Sequence, residues 1–405
     1  MNLLYIWDAD YPWDVRVEKI CNSLHRAGYE VHIVARNLKK LPEHEIINGV
    51  HIHRMKALQN DFANYAVTFP FFLSPKWNGL IHKVIEKHHI DVIIVRDLPM
   101  AVAGVRAGEK YKLPVIFDMA EDYCAMLREI WEKRKYKGFN LLVRNPYFAK
   151  WIENHVIHRF EHIFVVVEEA KDLVKKMGVK PEKISVIGNT PVLRELQFSG
   201  SSEHSDIDVL KARYSVIYTG GITPDRGLSV VIEAIPLIIS EIKDFLFVIV
   251  GSGFEVENLK LQIGKNGLEG YVKWVGWVPH DLLYEYIKAS KIGIIPHHVT
   301  DHINTTIPNK IFDYMACGIP IIATDAVPMK RILTEEKCGK AFKSGNAKIL
   351  AEAISSIHND AGTMGECGKA AILEKYNWEK DAEAMIDVVK SIGEKQMRQA
   401  ADQHG

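Results

Sequence analysis

Short apolar runs alternate with amphipathic stretches along most of the chain, and this alternation constrains the fold more than any other feature. Residues 2–7 (NLLYIW) read as a buried strand. Residues 16–27 read as a helix with Val17, Ile20, Leu24 and Ala27 on one face, and Gly28 stops it. Strands of the same type are expected at 31–35, 91–95, 115–117, 163–167 and 184–187, with helical patterns at 101–111 and 169–177. Strands that alternate with helices build βαβ units and a parallel sheet. No period of about 20–50 residues recurs, which argues against a solenoid.

Residues 199–208 (SGSSEHSDID) are polar and read as a linker or long surface loop. The alternation then restarts, with strands expected at 216–219, 245–250, 272–275, 292–295, 319–323 and 340–342. The 405 residues therefore divide into two similar α/β halves, each large enough to bury its own core. Ligands in such sheets sit at the carboxyl ends of the strands, and a cleft between the halves is expected to hold them.

With 51 basic and 51 acidic residues the formal charge is zero, which removes the basic excess of a dedicated nucleic-acid binder. The five cysteines are scattered and lack CxxC spacing, so a disulfide framework is not expected and a reducing cytoplasm fits. The first apolar run stops at Asp8, too short for a signal peptide, and no run of about 18 apolar residues exists.

Three motifs carry anion chemistry. TGGITPDRG (219–227) follows a strand and opens a helix, so its glycines let backbone N–H groups approach an anion and Arg226 adds a charge. A surface glycine turn has the same pattern. GSG (251–253) follows the next strand and allows close backbone approach, as does any tight turn. In TTIPNKIFDYMACGIPIIA (305–323), Thr305 or Thr306 is expected to cap a helix whose first turn holds Pro308, Asn309 and Lys310. A lysine there opposes the helix dipole unless an anion lies in front of it. Asp313 shares that face.

Together these segments resemble a family-4 glycosyltransferase with the GT-B fold. The resemblance rests on YTGGITPDRGL, VIVGSG, VGWVP, PNKIFDYMACGIPIIATD and YNWE, and in the first half on DVRVEKICNSLHRAGYEVHIVA, FDMAEDY and VIGNTP. It implies two Rossmann-like α/β domains facing each other across a cleft. They would be an acceptor-binding domain at 1–198 and a nucleotide-sugar domain at 209–378, with a terminal helix in 379–405 packing back toward the first. It implies a retaining, metal-independent transfer from a nucleoside-diphosphate sugar, UDP-linked by family habit. No cofactor is implied beyond that co-substrate. Arg226 would bind the donor diphosphate, Gly251 and Val278 would pack against base and sugar, and Asp313 would hold the ribose. Gly221, Thr305, Thr306, Asn309 and Lys310 complete the donor set.

Three departures stand out. Thr305 occupies the first acidic position of the usual pair, Gly221 replaces a frequent arginine, and Ala120 replaces a frequent histidine. Lys310 would then supply the second positive charge, so Arg226 and Lys310 stabilise the leaving diphosphate. On the acceptor side, Asp14 and Arg16 in the first βα loop and Asp118, Glu121 and Asp122 at a strand end are expected to face the cleft, with Glu121 as the catalytic carboxylate. Each also suits helix capping or hydration.

Asp8–Asp10 (DAD) is read as first-loop chemistry rather than a metal site, and His298 and His302 as lining residues rather than ligands. From Lys133 to Lys150 six basic residues interleave with aromatics, a pattern that suits an anionic membrane surface or a lipid-linked acceptor and also an ordinary helical hairpin. The expected place is the cytoplasm, peripherally on the inner membrane face, with surface polysaccharide assembly as the setting. A sugar-nucleotide epimerase and a non-catalytic nucleotide-sugar-binding subunit remain open.

Overall fold

The computed structural model describes residues 1–66, 74–133, 136–138, 140–196 and 205–402. The chain forms two compact units, Met1–Asn189 with Asp381–Gly405, and Thr190–Lys380.

The first unit carries β1 (Asn2–Asp10), β2 (Glu30–Arg36), β3 (His44–Ile47), β4 (Val50–Arg54), β5 (Val92–Arg96), β6 (Val115–Met119), β7 (His162–Val165) and β8 (Ile184–Val186). Their order in the sheet is β3-β4-β2-β1-β5-β6-β7-β8. Every pairing is parallel except β3 with β4. The hairpin and the helix Pro75–His88 are absent from the sequence expectation. Asn48 and Gly49 at positive φ make the hairpin turn, and Asn-Gly is a strong hairpin signal. β1 runs on through Asp10, so Asp8–Asp10 belongs to the strand end and not to the loop after it. The middles of β1 and β2 and all of β5 are buried on both faces, which is why β5 (VIIVR) reads as a continuous Val/Ile run.

The second unit carries β9 (Tyr214–Thr219), β10 (Phe245–Val250), β11 (Val272–Gly276), β12 (Ile292–Ile295), β13 (Ile321–Thr324) and β14 (Gly339–Phe342). The order is β11-β10-β9-β12-β13-β14, all parallel. Its core packs Val216, Phe245, Phe247, Ile249 and Ile294 under the apolar helix Leu228–Glu241. The expected linker is helical in its last part. Ser205–Ala212 is a helix with Asp206 and Asp208 in its first turn, where carboxylates suit the dipole, and Ile207 and Leu210 buried. The rest of that linker, with Gly200, lies outside the described residues.

Candidate functional site

In the second unit the strand order reverses between β9 and β12, the switch point at whose strand ends open α/β sheets bind ligands. Gly220 (φ +111°) follows β9 and Gly251 (φ +145°) follows β10. A Cβ on Gly251 would stand 1.9 Å from the Gly220 carbonyl oxygen, and one on Gly253 1.9 Å from that of Ile222. The two loops thus lie backbone against backbone, tied by Ile222 N–H donating to Ser252 O at 2.9 Å. Gly221 is exposed with open space at its Cβ position. Val278 is half-buried in the segment after β11.

Arg226 ends a short 3-10 turn, Pro224–Arg226, and Gly227 follows at φ +67°. The Arg226 Nη1 donates to His297 Nδ1 at 3.3 Å and His298 N–H donates to Asp225 O at 2.9 Å, which joins the loops after β9 and β12. The Arg226 bond leaves the His297 proton on Nε2, which is buried and has no hydrogen-bond partner among the described residues. Burial first, then Lys310 and Arg226, hold the His297 pKa well below its usual value, so the ring is neutral. The sequence reading treated the 297–302 histidines as lining residues and gave His297 no role of its own; His298 and His302 sit in the segment between β12 and the 3-10 turn Ile303–Thr305.

Lys310 begins the helix Lys310–Ala316 and lays its ammonium 3.8 Å over the Tyr218 ring. Desolvation and the Arg226 guanidinium push the Lys310 pKa well below that of a free lysine, against the pull of Asp313 and Asp225. Asp313 accepts from Tyr284 Oη at 3.0 Å. The expected cap is corrected. Thr305 ends a 3-10 turn and its hydroxyl donates to the Asp301 and His302 carbonyls, so it is spent before the helix starts. Thr306 is buried and extended, and Asn309 is the cap residue, without a side-chain cap bond.

In the first unit the strand order reverses between β1 and β5. Asp14, the N-cap of the helix Val15–Arg26, accepts from Val17 N–H at 3.0 Å and pairs with Arg96 at 3.2 Å, bridging the segment after β1 and the last residue of β5. Arg16 lies inside that helix, 3% exposed, and does not present an open loop face. Its Nη2 donates to Asp118 at 2.6 Å, and Nη1 donates to the Ile187 and Gly188 carbonyls and to Asn189 Oδ1. Asp118 is fully buried on β6 and also accepts from Tyr5 Oη at 2.6 Å. Its pKa falls below the carboxylate range because Arg16, Arg96 and these bonds outweigh desolvation. Asp122 accepts from Ala125 N–H at 2.9 Å, a capping bond. Glu121 is half-buried beside it.

Sequence reasoning missed Asp97. It follows β5 with φ +55° and accepts from Arg96 Nε at 2.9 Å, Ala120 N–H at 3.0 Å and Glu121 N–H at 3.3 Å. Burial pushes its pKa up to about 7, helped by Glu121 and Asp118 and opposed by Arg96. A carboxylate after a buried strand in RDLP was the available signal. Close by, a cavity of about 270 Å³ is lined by Asp8, Arg36, Leu98, Tyr123, Leu127 and Phe148 among others. Arg36 Nε is buried there without a hydrogen-bond partner among the described residues. Asp10 is engaged by Leu38 N–H at 2.7 Å.

Residues 14–190 match the family described as Glycosyltransferase Family 4, and residues 202–374 match Glycosyl transferases group 1. This chain belongs to the family-4 glycosyltransferases. It has the GT-B fold, with two Rossmann-like domains. HepE from Anabaena, solved in complex with UDP, superposes with a TM-score of 0.70 at 17% identity, covering 96% of this chain and 100% of that one. The chain is 21% identical to a chitobiosyldiphosphodolichol beta-mannosyltransferase from Yarrowia lipolytica, over 92% of its own length and 82% of the relative's. It is also 21% identical to the alpha-D-kanosaminyltransferase of Streptomyces kanamyceticus, where the match spans 60% of this chain and 64% of that enzyme.

Of the basic segment, the Lys133 side chain, Arg134, Lys135 and Phe139 lie outside the described residues. On the helix Pro146–Val156, Tyr147 and Trp151 stand 78% and 62% exposed, one turn apart. No helix among the described residues is long and apolar enough to cross a membrane.

Proposed function

We propose that this glycosyltransferase moves a sugar from a UDP-sugar to a hydroxyl of a lipid-linked or glycan acceptor in surface polysaccharide assembly, with retention and without a metal in the transfer step. The observation that carries the reading is the placement of Arg226 and Lys310. Two like charges near enough to depress the Lys310 pKa are unfavourable until an anion lies between them. A nucleoside diphosphate supplies that anion. Departure of the diphosphate from the sugar carbon places negative charge where both cations and the neutral His297 Nε2–H gather, which lowers the barrier. Asp313, held by Tyr284, would take the ribose hydroxyls, and HepE binding UDP supports the choice of base.

On the acceptor side, Asp97 and Glu121 would orient and deprotonate the attacking hydroxyl. The apolar cavity with Arg36 suits a lipid chain and its phosphate, and the Yarrowia relative carries a dolichol-linked substrate in its name. Tyr147 and Trp151 would then rest on an anionic membrane surface. Sedimentation with anionic vesicles at low salt tests that contact, and a chain left in the supernatant removes it.

The decisive experiment is thermal unfolding against a panel of nucleoside diphosphates, followed by nucleotide release from UDP-sugars with and without acceptor. UDP at 100 times its dissociation constant should stabilise by about 2.7 kcal/mol. No shift with any nucleotide defeats the proposal. Sugar interconversion without acceptor would favour an epimerase, and binding without release a non-catalytic subunit.

A further inference from the structure

We propose that His32, His53 and His88 form a site for one divalent transition-metal ion of the zinc type, a cross-link inside the first unit that is separate from sugar transfer. Sheet register brings the ligands together. His32 pairs across β2–β4 with His51, and Val34 with His53, so His32, His51 and His53 share one face. His44 joins them as the β3 partner of His53. His88, in the last turn of the helix Pro75–His88, lies over that face, with its ring centroid 4.2 Å from that of His32 and 5.1 Å from that of His53.

One ring nitrogen from each of the three lies within 4.8 Å of the others. His32 Nδ1 and His53 Nε2 are 3.0 Å apart. A tetrahedral ion with bonds of about 2.0–2.1 Å holds its nitrogens about 3.4 Å apart, so small ring rotations close the set. Two further observations favour an ion over a plain imidazole stack. His88 Nε2 is buried without a hydrogen-bond partner among the described residues, a cost that a metal bond removes. His32 Nε2 faces Glu30 Oε1 at 3.1 Å. That carboxylate fixes the tautomer with the Nδ1 lone pair turned to the cluster, the outer-shell partner that metal-bound histidines generally have.

On binding, His53 moves its proton from Nε2 to Nδ1, and no net proton is released. Imidazole donors suit zinc, copper and nickel. His32 lies at the amino end of β2, whereas Asp97 and Asp118 lie at the carboxyl ends of their strands, so the ion would brace the β3–β4 hairpin and the covering helix rather than touch substrate.

The test uses the full chain, stripped with EDTA, dialysed, and titrated with zinc chloride against a chromophoric chelator. One tight equivalent and a raised unfolding temperature are expected, and cobalt should give a tetrahedral visible spectrum. Glu30→Gln should weaken zinc about 10–100-fold and His88→Ala by more, with circular dichroism showing that both variants fold. The proposal is overturned if the stripped protein takes up no equivalent. It is overturned equally if the folded His88→Ala chain keeps wild-type affinity and the cobalt spectrum.

Discussion

The Lys310 ammonium lies 3.8 Å over the ring of Tyr218, where desolvation and Arg226 depress its pKa. A lysine with a lowered folded pKa binds fewer protons folded than unfolded. Its charge therefore costs stability at low pH, and the cost fades as pH rises through the folded pKa toward the unfolded one. A bound diphosphate reverses the shift, so UDP binding should take up a proton at pH values above the depressed pKa. Calorimetry in buffers of different ionisation enthalpy measures this. Lys310→Gln should abolish the uptake and lower kcat by about 10²–10³, the usual loss for one preorganised stabilising group. Unchanged uptake in the variant would remove Lys310 from the diphosphate site.

Gly251 and Gly221 should behave oppositely. Gly251 sits at φ +145°, and its Cβ would strike a carbonyl oxygen that belongs to the neighbouring loop. Gly251→Ala should cost about 1–3 kcal/mol or more in urea unfolding and weaken UDP. Gly221→Ala meets open space and should fold normally. Equal stability of the two variants would contradict the loop packing.

The parallel core strands were legible because burial on both faces makes them continuous apolar runs, and β9, β10 and β12 fall where the sequence places them. The glycine loops after β9 and β10 were legible as special backbone, since Gly220, Gly227 and Gly251 all sit at positive φ, which glycine tolerates best. The hairpin was missed because its strands are histidine-rich and not apolar, although Asn48–Gly49 announced the turn. Thr305 looked like a cap because capping depends on spacing, yet its hydroxyl closes an earlier turn. Asp97 was missed because its altered proton affinity comes first from burial, and then from Glu121 and Asp118, which are distant in sequence, so RDLP alone did not disclose it.

Arg16 and Asp118 should matter for folding more than for chemistry. Breaking a buried pair leaves an uncompensated charge, at about 3–5 kcal/mol. Arg16→Met should lose that much in denaturant titration while the folded fraction still binds UDP. Because the Asp118 pKa is lowered, the support is present above the unfolded value of 3.8 and is lost only as pH falls through the folded one. A cost under about 1 kcal/mol would show that the pair is not what holds the β8 end to β6.

Asp97 offers the sharpest division between acid–base chemistry and positioning. With a pKa of about 7 it should give kcat/KM an acidic limb near pH 7, since the free enzyme needs the carboxylate. Asp97→Asn keeps an Oδ1 acceptor for Ala120 and Glu121 N–H, so the loop holds its geometry while the base is lost. The limb should vanish and the rate fall about 10²–10⁴-fold. Stability reports the same group. A carboxyl raised from 3.8 to about 7 binds more protons folded than unfolded, so wild-type stability falls as pH rises across that window, and the variant should flatten the fall. Unfolding temperatures at pH 5 and pH 8 measure it. A variant with full rate and an unaltered pH profile would return the base to Glu121.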